Sequence, residues 1–181
     1  MKKVSFILVL LMIILGCSHK LAPTQATQKL GPNPYFEFDG KPVEFSYLKT
    51  VNPMDISVIH NYYNKEAIKL YGEKAKDGAV LIETRTYAKN KFEAFFKRCS
   101  GEYGEMINKT DTSDIQYILN ERILKKNIEG DLSLITEKTL KSIKLIDSQE
   151  LENKYQVKDK KVGVIVEAKR PKDLYNSKKK F

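Results

Sequence analysis

Short apolar runs and turn signals follow one another twice along the chain, between residues 35 and 86 and again between 115 and 169. In the first stretch, "YFEFDGKPVEF" sets apolar residues on both sides of Asp39-Gly40, a two-residue turn signal, and predicts a hairpin. In "LKTVNPMDISVI", Asn52 can cap a short helix with Pro53 at its first position, where the missing N–H costs nothing. "ISVIHNYY" is β-branched and aromatic and reads as a strand. "NKEAIKLYG" reads as a helix, with Asn64 as N-cap, Ala67, Ile68 and Tyr71 on one side, and Gly72 as stop signal. After the "EKAKDG" turn, "AVLIET" is nearly all apolar, the pattern of a central strand.

The second stretch repeats this order. "IQYILNERIL" is strand, polar turn, strand, and "LSLITEKTLKSIKLID" matches "LKTVNPMDISVIHNYY" without a gap. Leu132 falls on Leu48, Ile135 on Val51, Leu140 on Ile56 and Ile143 on Ile59. Ser148 replaces Asn64 as cap, Glu150 matches Glu66 and Tyr155 matches Tyr71; with one residue inserted, Gly163 matches Gly78. The matched positions are apolar, capping and turn positions, which carry fold. Between the copies, residues 87–114 hold an amphipathic helix and a loop. Phe92, Phe95, Phe96 and Cys99 share the spacing i, i+3, i+4, i+7, which predicts a helix from about Lys89 to Cys99, reaching Asn108 unless Gly101 and Gly104 break it. On that stripe Cys99 reads as a small buried apolar residue, with a reactive or intermolecular thiol as the alternative. The expected class is α+β. A single cassette of about fifty residues has a marginal core. The two are therefore expected to pack as one pseudo-symmetric domain that shares the Phe-rich helix.

The ends concern address. "MKK" is basic and "VSFILVLLMIIL" is an apolar run of twelve, followed by "GC" and polar chain. Twelve helical residues span about 18 Å, short of the ~30 Å of a bilayer core, so residues 1–16 read as a signal peptide. Ile14, Leu15 and Gly16 before Cys17 resemble a bacterial lipobox. That resemblance implies a diacylglyceryl (palmitate-type) group on the Cys17 thiol, cleavage before Cys17 and a lipid anchor of two or three chains, enough for stable attachment. Ser18 stands where an inner-membrane retention signal places Asp, which points to the outer membrane, facing the periplasm. Residues 17–34, rich in Pro, Thr, Gln and Gly, read as a flexible tether. The formal net charge of +9 falls by two, to +7, once Lys2 and Lys3 leave. In an exported protein such a charge suits anionic lipid, lipopolysaccharide phosphate or an acidic protein rather than nucleic acid. Residues 170–181 form a basic tail. With Cys17 acylated, Cys99 has no disulfide partner in the chain.

"FDGKPV", "LKTVNPMDI" and "KEAIKLYGEKAKDGAVLIET", in this order, resemble the plug domain of TonB-dependent outer-membrane receptors. The Asn-Pro-x-Asp-Ile and Tyr-Gly…Asp-Gly pairs are the most specific pieces. The second copy keeps the pattern but departs at its signature positions: Thr136-Glu137 stands for Asn52-Pro53 and Gln156 for Gly72. The resemblance implies two plug-like cassettes, 35–86 and 115–169, and an envelope setting. No run of barrel strands follows before Phe181 and no clear TonB-box follows the tether, so nutrient transport by this chain is not implied.

No catalytic constellation stands out, and no enzyme activity, metal or cofactor is expected. His19 lies in the tether and His60 in a strand, no Cys/His/acid spacing suits zinc, and neither a phosphate loop nor a Gly-x-Ser-x-Gly elbow occurs. The expected function is a lipid-anchored envelope protein that acts by protein–protein contact, with the plug-like sheet as the contact surface. The alternatives are a small-ligand or glycan-binding lipoprotein, with a cleft lined by aromatics such as Tyr62, Tyr63 and Tyr103, and an enzyme, with carboxylates or His60 converging in such a cleft.

Overall fold

A computed structural model describes residues 30–170. The expected signal peptide, Cys17 and most of the expected tether, and the tail beyond Arg170, lie outside the described residues. The fold is α+β, and each copy of the sequence pattern forms a four-stranded mixed sheet. The first unit runs β1 (Tyr35–Phe38), β2 (Lys41–Pro42), α1 (Phe45–Leu48), a helical turn at Pro53–Asp55, β3 (Ile56–Tyr62), α2 (Asn64–Tyr71) and β4 (Ala79–Thr84). Two helices follow, α3 (Arg85–Cys99) and α4 (Gly101–Lys109). The second unit is β5 (Ile115–Leu119), β6 (Arg122–Ile123), α5 (Ile128–Ser133), β7 (Leu140–Asp147), α6 (Ser148–Tyr155) and β8 (Val162–Ala168). The sheet orders are β2-β1-β4-β3 and β6-β5-β8-β7. In each, the last strand runs parallel to the first and antiparallel to the third. The apolar "AVLIET" is central, as its composition predicts.

The correspondence extends to single hydrogen bonds. Both hairpins turn on two residues with positive φ, Asp39-Gly40 and Asn120-Glu121, the backbone of a type I′ turn. The side chain of each first turn residue ties the hairpin to the end of the central strand. Asp39 accepts from the Thr84 N–H at 2.7 Å, and Asn120 accepts from the Ala168 N–H at 3.0 Å. Ile56 pairs with Thr84 and Ile59 with Ile82; Leu140 pairs with Ala168 and Ile143 with Val166. Both strands slip register at the same place, Ser57 and Lys141, as a β-bulge does.

The register corrects one expected match. No residue is inserted before the last strand: Gly163 stands opposite Gln116 and Ile146, the place that Ala79 holds opposite Tyr35 and Tyr62. The physical reason is volume. A Cβ on Gly163 would meet the Leu151 side chain of α6 at 2.8 Å and that of Ile146 at 2.5 Å. In the first unit the buried helix residue is Ala67, and the strand has room for Ala79. A large residue on one element and a small one on its neighbour keep the layer filled.

Capping follows the sequence in part. Asn52 accepts from the Met54 N–H at 3.0 Å, as expected. Asn64 is the first residue of α2, not its cap, and in α6 the cap is Asp147, which accepts from the Glu150 N–H at 2.8 Å, rather than Ser148. Gln156 takes the left-handed conformation (φ 57°) that closes α6 where Gly72 (φ 75°) closes α2. The folded body includes residues ahead of 35. Leu30 packs into the first core, and the Gly31 N–H donates to the Asp77 carbonyl at 2.9 Å.

Helix α3 joins the units. Thr84 caps it, and Lys91 reaches Glu83 on β4. Phe92, Phe95 and Phe96 fill the core over β5, β7 and β8. The break before α4 falls at Ser100, whose hydroxyl accepts from the Tyr103 N–H, and not at Gly101 or Gly104. This break also corrects the reading of Cys99. It is exposed at the end of α3, because the chain turns there and Tyr103 takes the inward place, its ring 5.5 Å from Phe96. The units are further pinned at the bulge. The Ser57 hydroxyl donates to Asn127 at 2.9 Å, and the Asn127 amide donates to the Ser57 carbonyl at 3.1 Å. A Cβ on Gly130 would meet that same carbonyl at 2.6 Å, so only glycine lets α5 dock so closely. Among the described residues, no helix is long and apolar enough to cross a membrane.

Candidate functional site

The two sheets are equivalent in topology but not in cover. On one face of the second sheet, Tyr117, Leu119, Val164 and Val166 lie under the aromatics of α3 and α4 together with Leu124, Leu132 and Ile135. The equivalent face of the first sheet carries Phe36, Phe38, Val80 and Ile82 with Val43, Leu48 and Val51. No helix pair lies over it among the described residues. Among the described residues its cover is the single turn of α1, through Phe45 on Phe36 (ring centroids 5.5 Å) and Tyr47 on Phe38 (5.3 Å), together with Leu30. Leu119, Leu124 and Ile135 are 0%, 1% and 4% exposed. Their counterparts Phe38, Val43 and Val51 are only partly buried. Phe45 and Tyr47 are 39% and 46% exposed. The floor of this face is nevertheless closed, with Val80 and Ile82 fully buried and Phe36 and Leu48 nearly so; what stays accessible is its rim, Phe45 and Tyr47 beside the partly buried Phe38, Val43 and Val51.

A second feature lies beside α3. A cleft of about 660 Å³ opens between this helix and residues 133–138, with Tyr87, Phe92, Phe95 and Ile135 as apolar lining and Arg98 and Lys138 among its polar groups. Lys91 also lines it, and behind Lys91 is Glu83, whose side chain is 2% exposed. Glu37, on the neighbouring strand β1, has its carboxyl raised above the usual range, first by burial and then by the Glu83 charge. Burial, followed by the same two carboxylates, also raises the phenols of Tyr71 and Tyr87. These groups form a polar seam under the start of α3 that the sequence did not single out. Glu83 and Lys91 are eight residues apart, and only the docking of α3 on β4 brings them together. The chemistry available there is internal: the carboxylate is held by the ammonium, and the other oxygen of Glu83 has no hydrogen-bond partner among the described residues.

The sequence-predicted residues are placed as follows. Cys17, the expected lipidation site, lies outside the described residues. His60 is buried in β3 and stacks on Tyr62 with centroids 4.4 Å apart. Tyr103 is fully buried and shares a 2.9 Å hydrogen bond with Tyr117 in the second core. Burial pushes the Tyr117 phenol up to about 12 and holds that of Tyr103 higher still. Tyr63 is exposed beside α2. Tyr62, Tyr63 and Tyr103 therefore do not converge, and none lines the cleft. Among the described residues, no three His, Cys, Asp or Glu side chains gather as a metal ion needs. The sequence reading names the plug-like sheet as a contact surface but does not single out its exposed aromatics, Phe45 and Tyr47. No family model matches the chain, and neither the curated proteins nor the solved structures contain a match to it.

Proposed function

We propose that this protein is a non-enzymatic, lipid-anchored protein of the cell envelope that acts by protein–protein contact through the aromatic rim of its first sheet. The observation that carries this reading is the pair of exposed aromatics on the one-turn helix α1, Phe45 and Tyr47. Exposed aromatic side chains beside an apolar core are enriched at interaction sites. The envelope setting rests on the leader and on Cys17, and the plug-like pattern of the first cassette is consistent with an outer-membrane receptor or another envelope complex as the partner. The test is in-cell crosslinking followed by detergent extraction and affinity capture, with a control that lacks residues 35–181. A partner held by wild type and lost on Tyr47→Glu supports the reading; recovery of the protein alone overturns it. Loss of acyl labelling in Cys17→Ser checks the anchor. A second reading, a small-ligand or glycan-binding lipoprotein, is favoured by the cleft beside α3, whose volume falls in the range of ligand pockets.

A further inference from the structure

Helix α3 sets Tyr87, Lys91, Ala94, Phe95 and Arg98, at helical spacing, along the cleft of about 660 Å³ that separates it from residues 133–138. We propose, resting on the small-ligand reading above and not on the contact reading, that this cleft binds an amphiphilic monocarboxylate. Its elongated apolar body lies along α3, and its carboxylate sits on Arg98 and Lys138.

Length argues for an elongated body. Tyr87 and Arg98 both line the cleft, and the helix between them runs roughly 16 Å at about 1.5 Å per residue. Ala94, Phe95 and Ile135 supply apolar lining between those ends. Charge argues for a single carboxylate. Lys91 is held by the buried Glu83, so its charge is already balanced. Arg98 and Lys138 have no carboxylate partner among the described residues. The Arg98 guanidinium donates only a long 3.5 Å bond to the Ala94 carbonyl and lies 5.7 Å from the centre of the Phe95 ring. Against these two cations the cleft lining sets one carboxylate, Glu137, which leaves one positive charge to be met. A phosphate monoester, at about −1.5 to −2, brings more than that. The guanidinium fork also matches a carboxylate with two parallel hydrogen bonds.

The far wall is built in advance. The Thr136 N–H donates to the Thr139 hydroxyl at 2.8 Å, and the Leu140 N–H donates to the Thr136 carbonyl at 2.8 Å. Here the second copy departs from the first: Thr136-Glu137-Lys138 stands for Asn52-Pro53-Met54, so the cation at 138 belongs to the second copy alone.

The probe is octanoate. Full-length protein in lipid nanodiscs is dialysed to equilibrium against the radiolabelled compound, and uptake by empty nanodiscs is subtracted. Saturable retention of one octanoate per chain is expected, weakened by about tenfold or more in Arg98→Gln and less in Lys138→Gln. Ala94→Trp, which fills the cleft from an exposed helix position, should abolish it. Octanamide, the same body without the charge, should compete at least about tenfold more weakly. Thermal melts of the three variants check that each is folded. Equal competition by octanamide, with binding still lost in Ala94→Trp, overturns the carboxylate and leaves the small-ligand reading standing. Retention untouched by Ala94→Trp overturns the cleft as the site. No saturable retention of either compound overturns the proposal and the small-ligand reading of this cleft together.

Discussion

The first and second sheets share strand order, turn type, bulge position and a turn side chain tied to the end of the last strand, yet they are closed by different elements. The second buries Tyr117, Leu119, Leu124, Leu132 and Ile135 under Phe92, Phe95, Phe96 and Tyr103. The first sets Phe45, Tyr47 and Leu48 of a one-turn helix, with Leu30, against Phe36, Phe38, Val80 and Ile82. The difference teaches where stability and function separate in a duplicated fold. The aromatic helix follows the first unit in sequence but serves the second as its lid, and the first closes its face with short local pieces, α1 and Leu30, whose outer aromatics stay exposed. Glu83 and Glu167 show the same asymmetry on the other side of the sheets. Glu83 is buried against Lys91 by the start of α3, while Glu167, at the equivalent position, is exposed.

The comparison can be broken most forcefully at the lid. Phe96→Ala removes a fully buried ring from the second core and is expected to cost about 3–5 kcal/mol, measured by urea denaturation. Phe45→Ala in the first unit should cost no more than about 1 kcal/mol, because its ring is partly exposed already. Equal losses would mean that the two faces are equally covered.

Lys91→Ala leaves the buried Glu83 without its cation and should destabilise by about 1–3 kcal/mol, which Glu83→Gln in the same chain should partly restore. Gly163→Ala should cost a similar ~1–3 kcal/mol by overpacking against Ile146 and Leu151. Adding Leu151→Ala recreates the Ala67–Ala79 pair of the first unit, and the double variant should be more stable than the sum of the two single effects predicts. Strict additivity would show that the two sheet–helix layers are not equivalent.

A smaller effect is read with pH. Folding raises the Glu37 pKa, so the fold favours the protonated carboxyl. The associated stability is fully present below the ordinary carboxylate value of 4.5 and is lost as pH rises through the raised one. Glu37→Gln should flatten this segment of the stability–pH curve and leave the protein slightly more stable at neutral pH. The smallest expected change is that of Tyr47→Glu on stability, within about 0.5 kcal/mol for an exposed side chain, which makes it the clean test of contact.

The order of elements in each unit was legible before any coordinate, since it rests on local signals. Asp39-Gly40 demands a tight turn, Asn52-Pro53 starts a helical turn, and "AVLIET" has the apolar run of a central strand. The ungapped match of Leu48, Val51, Ile56 and Ile59 with Leu132, Ile135, Leu140 and Ile143 was legible too, because packing on a sheet face fixes both residue type and spacing. The expected burial of Cys99 and the alignment of Gly163 with Gly78 failed for one shared reason. Each depends on a neighbour distant in sequence: Tyr103 folding back beyond Ser100, and Leu151 pressing on the strand. The candidate site is the extreme case. Phe45 and Tyr47 do not stand out from their core neighbours in the sequence, because periodicity reports that a residue is apolar and not what lies on it. The sequence by itself determined two sheets, their turns and one aromatic helix. Only the tertiary structure decided which sheet that helix covers, because a single helix can turn its apolar stripe to one sheet and not to both.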